Sequence, residues 1–157
     1  MTVRNFVNFF FVISIFLIDR FSKLVMINSS TIDGSSNVLI NDFLSFNLVW
    51  NDGIAFGLFS FDQKIYYNFL TAIILLITLI ILWMILKTKG LEKIAFMMIL
   101  GGSTGNIFDR LYYSSVPDFI DIHYGNFHWF IFNVADIFIS IGVLLLIILE
   151  IFIKNKV

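Results

Sequence analysis

The sequence predicts an all-α membrane protein: four transmembrane helices and a small extracytoplasmic β-sheet or loop region. Three observations lead there. Of 157 residues, 59% are hydrophobic and only 13% charged, and the mean hydropathy is +0.95, a balance that no soluble domain of this length sustains. Four apolar segments are each long enough to cross a bilayer, for which roughly 20 mostly apolar residues suffice. The stretch from Asn37 to Val49 alternates Val, Leu, Ile and Phe with polar residues, which is the period of a strand.

The spans fall at about Phe6 to Ile27, Tyr66 to Leu86, Ile94 to Tyr113 and Trp129 to Ile153, within one domain covering residues 1–157. The first follows Arg4 as a secretory leader would, but no small-residue cleavage site follows it, so it reads as a retained helix. Basic residues in short loops favour the cytoplasmic side. Arg4, Lys87, Lys89, Lys93, Lys154 and Lys156 all share one side if both termini are cytoplasmic. The other side then receives the long outer loop 28–65, with its strands, and the connection from Ser114 to His128. With no cysteine, the chain has no disulfide, thiolate metal site or cysteine nucleophile, and its net charge of -1 carries no basic stripe suited to nucleic acid.

This orientation gathers the polar residues of the spans toward the outer face. Asp19 comes late in the first helix, Asn106, Asp109 and Arg110 late in the third, and Asn133 and Asp136 early in the fourth. Ionisable groups at membrane depth are costly and persist where they pair, line a cavity or do chemistry, so a shared polar cavity explains them better than three separate defects. Asp19 and Lys23 stand one turn apart, which fits either an ion pair within the helix or a role in holding other helices. Asn106 and Asp109 share a face, with Arg110 beside them able to clamp a carboxylate, so Asp109 reads as an ionised organiser. Gly101 and Gly105 have the spacing that brings helices close.

Asp136 has Asn133 as an amide neighbour and no basic residue within a turn, and Asp118 lies beyond the third helix between Pro117 and Phe119. These two are the candidates for a catalytic pair. Two carboxyl groups held close share a proton: the ionised one activates water while the protonated one polarises a carbonyl and protonates the leaving amine. Asp121, His123 and His128 lack the spacing of a metal site and read as a solvated interfacial stretch.

With these residues in view, the chain resembles the lipoprotein signal peptidases, or signal peptidase II, over essentially its whole length. The Asp-x-x-x-Lys motif is Asp19 and Lys23, with Arg20 where glutamine is common; Asn-x-Gly-x-Ala-Phe is Asn51, Gly53, Ala55 and Phe56. Gly-Asn-x-x-Asp-Arg is Gly105, Asn106, Asp109 and Arg110. Val-x-Asp-Phe-Ile is Val116, Asp118, Phe119 and Ile120, with Ser115 where glycine is usual, and Phe-Asn-x-Ala-Asp is Phe132, Asn133, Ala135 and Asp136.

The resemblance implies an intramembrane aspartyl endopeptidase of the bacterial inner membrane. It would cut prolipoproteins on the N-terminal side of a cysteine that carries diacylglycerol. Asp118 and Asp136 would be catalytic; Asp19, Lys23, Asn51, Gly53, Asn106, Asp109, Arg110, Asn133 and Ala135 would support them or the substrate. No metal or organic cofactor is implied; the partners are lipidated prolipoproteins and membrane lipid, met by a monomer. A proton-coupled carrier would also hold intramembrane aspartates, but four short spans without an internal repeat argue against one. The segment from Asn51 to Phe56 resembles the start of the CDP-alcohol phosphotransferase motif, but lacks that motif's arginine and its downstream paired aspartates.

Overall fold

The computed structural model describes residues 3–33, 37–53 and 63–152. Among the described residues there are four helices: α1 (Val3–Asp33), α2 (Gln63–Lys87), α3 (Gly90–Tyr113) and α4 (Val134–Phe152). The strands β1 (Asn37–Asn41), β2 (Leu44–Asn51), β3 (Val116–Tyr124) and β4 (Phe127–His128) form one antiparallel sheet in the order β1-β2-β3-β4. Two helical stretches, Ile65–Lys87 and Val134–Phe152, are long and apolar enough to cross a membrane. The helices leave large apolar side chains outward, among them Leu17, Phe21, Phe69, Leu76, Trp83 and Leu144, a surface that water does not tolerate over such an extent.

The central helix is α3, which packs against α1, α2 and α4. Its glycines explain the closeness. A Cβ on Gly101 would stand 2.8 Å from that of Ile15, one on Gly105 2.5 Å from Asp19 Oδ2, and one on Gly102 2.5 Å from the carbonyl oxygen of Ala135. Gly101 and Gly105 therefore admit α1, as their spacing predicts, while Gly102 admits α4. Small residues at such positions let helix backbones come close and extend their van der Waals contact. Away from the sheet, Ile81, Ile85, Phe96, Met97, Ile99 and Leu100 close the interior.

The expected strands in 37–49 are present as β1 and β2. Three boundaries differ from expectation. α1 runs on to Asp33, and α3 begins at Gly90 rather than near Ile94. The fourth helix starts at Val134, not Trp129, because the backbone of Phe132 is hydrogen-bonded to Phe119 and Ile120 of β3. The connection 114–128 is itself largely strand. Ser114, left-handed at φ 58°, ends α3, and Pro117 then sits where β3 has only β2 beside it, the edge position a strand proline requires.

Candidate functional site

The site begins with a bulge. β2 pairs Phe46 with Ile120 but Val49 with Asp118, so one extra β2 residue is inserted just where Asp118 sits. A one-residue shift moves later side chains to the opposite face. Asn51, which pairs with Val116, consequently lies on the face of Asp118, and its Nδ2 donates to Asp118 Oδ2 at 2.8 Å. The Asn51 amide cannot turn over, because its Oδ1 accepts the Gly53 N–H at 2.7 Å. Gly53 makes that turn at φ 75°, a conformation that favours glycine. The motif positions Ala55 and Phe56 lie outside the described residues.

Asn133 caps α4. Its Oδ1 accepts the N–H of Asp136 at 3.1 Å, and Asp136 Oδ2 accepts the N–H of Asn133 at 3.1 Å, the reciprocal arrangement of a capping box. The remaining nitrogen of the cap, Nδ2, donates to Asp118 Oδ1 at 2.6 Å. Asp136 Oδ1 accepts from Asn106 Nδ2 at 2.9 Å. Each of the four carboxylate oxygens of Asp118 and Asp136 thus accepts one amide N–H: three from asparagine side chains and one from backbone. Neither carboxylate has an ion pair with a lysine or arginine among the described residues.

Asp118 is only 4% exposed. Burial pushes its carboxyl up to about 6, opposed by the Asn51 and Asn133 donors and assisted by the nearby charge of Asp136. A carboxyl in that range exchanges its proton near neutral pH. Beside Asp136 runs a groove of about 300 Å³, lined by Trp129, Phe130, Phe132, Ile137, Ser140 and Ile141.

A second cluster sits behind the first. Lys23 is fully buried and its Nζ donates to Asp19 Oδ2 at 2.8 Å, Asn106 Oδ1 at 2.9 Å and Asp109 Oδ2 at 2.7 Å. Both open readings of Asp19 and Lys23 are thus realised: the pair closes within α1, and the lysine also reaches α3. Arg20 pairs with the other oxygen of Asp109 and lies over the Phe108 ring. Asp19 Oδ1 accepts the N–H of Ala135 at 2.9 Å, tying α1 to the first turn of α4. Two cations balance two carboxylates, and every one of those carboxylate oxygens is bonded. Asn106 joins the clusters, with its Oδ1 on Lys23 and its Nδ2 on Asp136.

Two expectations are corrected. Arg110 does not clamp Asp109. Consecutive helix residues point about 100° apart, and Arg110 turns toward α2, where its guanidinium lies over the Tyr67 ring and beside Gly53. Asp121 is not solvated: it is 2% exposed, accepting from Ser45 Oγ at 3.3 Å and paired with His128 Nδ1 at 2.9 Å. Sequence reasoning missed Arg20 as a partner of Asp109. Its only signal was a cation next to Asp19 in an apolar helix.

Comparison with known proteins adds the following. The family profile described as "Signal peptidase (SPase) II" matches residues 11–152. The chain is 45% identical over 157 residues to the lipoprotein signal peptidase of Pelagibacter ubique (strain HTCC1062), covering 99% of this chain and 95% of that one. It is 37% identical over 153 residues to that of Francisella tularensis subsp. novicida (strain U112), covering 94% of each. Two solved structures, each a bacterial membrane enzyme studied in meso, are similar throughout. The one at 1.9 Å has a TM-score of 0.72 and 27% identity, covering 94% of each chain. The one at 2.3 Å has 0.69 and 26%, covering 96% of this chain and 92% of that one.

Proposed function

The chain belongs to the signal peptidase II family, and from that premise we propose that it is an intramembrane aspartyl endopeptidase with Asp118 and Asp136 as its catalytic pair. The substrates are diacylglyceryl-modified prolipoproteins, cut on the N-terminal side of the lipidated cysteine. One observation carries the assignment: Asn133 holds both carboxylates, its backbone N–H on Asp136 and its side-chain amide on Asp118, while the lysine and the arginine nearby are taken up by Asp19 and Asp109. Neutral donors orient carboxylates without fixing both as anions, which leaves the pair free to hold a single proton.

In the reaction, the ionised member accepts a proton from water as the water oxygen adds to the scissile carbonyl, and the protonated member donates to the carbonyl oxygen. Collapse hands one proton to the departing nitrogen and returns the other to the pair, which ends with the one proton it began with. No step requires a metal. The groove beside Asp136 suits an apolar part of the substrate, and the Arg110 guanidinium has Nε and Nη1 buried without a partner among the described residues, leaving donors for a substrate carbonyl or ester.

All four helices span the membrane as one domain, with both termini cytoplasmic and the sheet on the outer surface of the inner membrane. The basic residues of the short loops and the outward apolar side chains of α1 and α2 support this arrangement. The enzyme works as a monomer. The test is cleavage of a diacylglyceryl prolipoprotein by purified protein. Asp118→Asn and Asp136→Asn each lose at least roughly 100-fold in turnover while staying folded, as loss of an acid or base requires. Near wild-type turnover in either removes that residue from the pair.

A further inference from the structure

The end of the bundle away from the sheet holds a second cavity, of about 310 Å³, between α1, α2 and α3. Its walls include Asn8 of α1, Leu86 at the end of α2, and Lys89, Gly90 and Lys93 where α3 begins. None of these residues takes part in the carboxylate clusters, which draw on Asp19 and Lys23 farther along α1 and on Asn106 and Asp109 near the far end of α3.

The features of this cavity favour an anion. Two lysines face it in a chain whose net charge is only -1. The first turn of α3 begins at Lys89 with no side-chain cap, so its outward N–H groups are left to water or a ligand and the helix dipole adds positive potential. The one acidic residue of that turn, Glu92, is not among the walls.

The flanks favour a lipid. Just toward the bundle middle, Phe10 and Phe11 of α1 and Leu82 and Trp83 of α2 are exposed apolar surface, suited to acyl chains. The cavity lies level with the end of α2 at Lys87, where an apolar span gives way to polar loop and where headgroups belong. A phospholipid lying along those side chains would bring its phosphate to Lys89 and Lys93.

We propose that this cavity binds the phosphate of an anionic phospholipid from the membrane leaflet on that side. The lysines and the open helix start supply the charge complement, and a zwitterionic headgroup, which carries its own cation, gains less from both. Lysines near a membrane surface each add a favourable attraction to anionic lipid, which for two amounts to roughly tenfold or more in preference.

The test is native mass spectrometry of delipidated full-length protein with phosphatidylglycerol or phosphatidylcholine of the same acyl chains, and separately with inorganic phosphate. Wild type is expected to retain phosphatidylglycerol roughly tenfold better, with inorganic phosphate at millimolar concentration failing to displace it. The Lys89→Gln, Lys93→Gln double variant loses the preference, while the Lys89→Arg, Lys93→Arg variant keeps it. Equal retention of the two lipids by wild type, or an unchanged preference in a folded glutamine variant, overturns the proposal. So does full displacement by inorganic phosphate, which would make this a soluble-anion site. The wild-type comparison stands whatever the variants do, and none of these readouts depends on peptidase activity.

Discussion

Asn133 donates its side-chain amide to Asp118 across 2.6 Å, joining β3 to the start of α4 by one hydrogen bond from a fully buried residue. The same side chain caps α4, so the placement of one proposed catalytic carboxyl and the folding of the next helix are one event.

That double use can be separated by substitution. Asn133→Ser keeps an oxygen that can cap the helix but has no amide to offer Asp118, whereas Asn133→Ala has neither. Both variants are expected to lose roughly 10- to 100-fold in kcat/KM, the worth of a hydrogen bond to a charged group. Only the alanine variant loses the cap, and it should be less stable than the serine variant by about 1 kcal/mol in chemical denaturation. Recovery of cleavage by serine would show that the amide donor is dispensable.

The raised carboxyl of Asp118 sets a pH dependence with a definite sign. Its proton is held to about 6 in the folded protein against 3.8 for the free group. Stability from this group is therefore complete below pH 4 and declines by about 3 kcal/mol as the pH rises through 6. Asp118→Asn should flatten that part of the stability profile. In kcat/KM, the loss of the shared proton should appear as a decline centred near pH 6. Asn51→Ala, which deletes a donor that favours the ionised form, should move that midpoint to higher pH; a shift to lower pH contradicts the assignment.

Lys23 is the residue whose loss should be felt most in folding. Lys23→Met leaves Asp19 without its cation at a fully buried position, and breaking a buried pair from one side costs about 3–5 kcal/mol. Asp109→Asn should cost less, because an amide oxygen can still accept from Lys23. Its cleavage should fall only in proportion to the folded fraction, measured by size-exclusion recovery and thermal melting. Turnover lost from fully folded Asp109→Asn would mark Asp109 as more than an organiser.

Gly105→Ala tests the packing directly. The new methyl would stand 2.5 Å from Asp19 Oδ2, and either α1 or the carboxylate must move, at about 1–3 kcal/mol. Thr104→Ala on the same helix should stay within about 0.5 kcal/mol of wild type. Equal melting temperatures for the two variants would mean that α1 and α3 approach less closely than these distances require.

What could be read from the sequence was what local spacing determines. Asn106 and Asp109, three residues apart on one helix, do face the same partner in Lys23. Asn133 and Asp136, at the same spacing, do meet, and the strand period of 37–49 is realised. Contacts set by distant chain were not legible. Adjacency suggested Arg110 as the partner of Asp109, yet Lys23 and Arg20 arrive from 86 and 89 residues away. β3 was hidden because Val116 to Phe119 are all buried, which removes the alternation that betrays a strand. Asp121 looked solvated because its partners, Ser45 and His128, belong to other strands.

The bond from the Ala135 N–H to Asp19 closes a separation of 116 residues, and this bears on biosynthesis. While the chain is still being made, a ribosome that has not passed residue 136 has delivered Asp118 without Asp136, and without the Asn133 amide that would hold it. A nascent protein at that stage therefore carries only one half of the proposed catalytic pair, too little to turn on neighbouring chains in the membrane. The proposed pair is completed with the last helix, in the same step that ties α4 to Asp19.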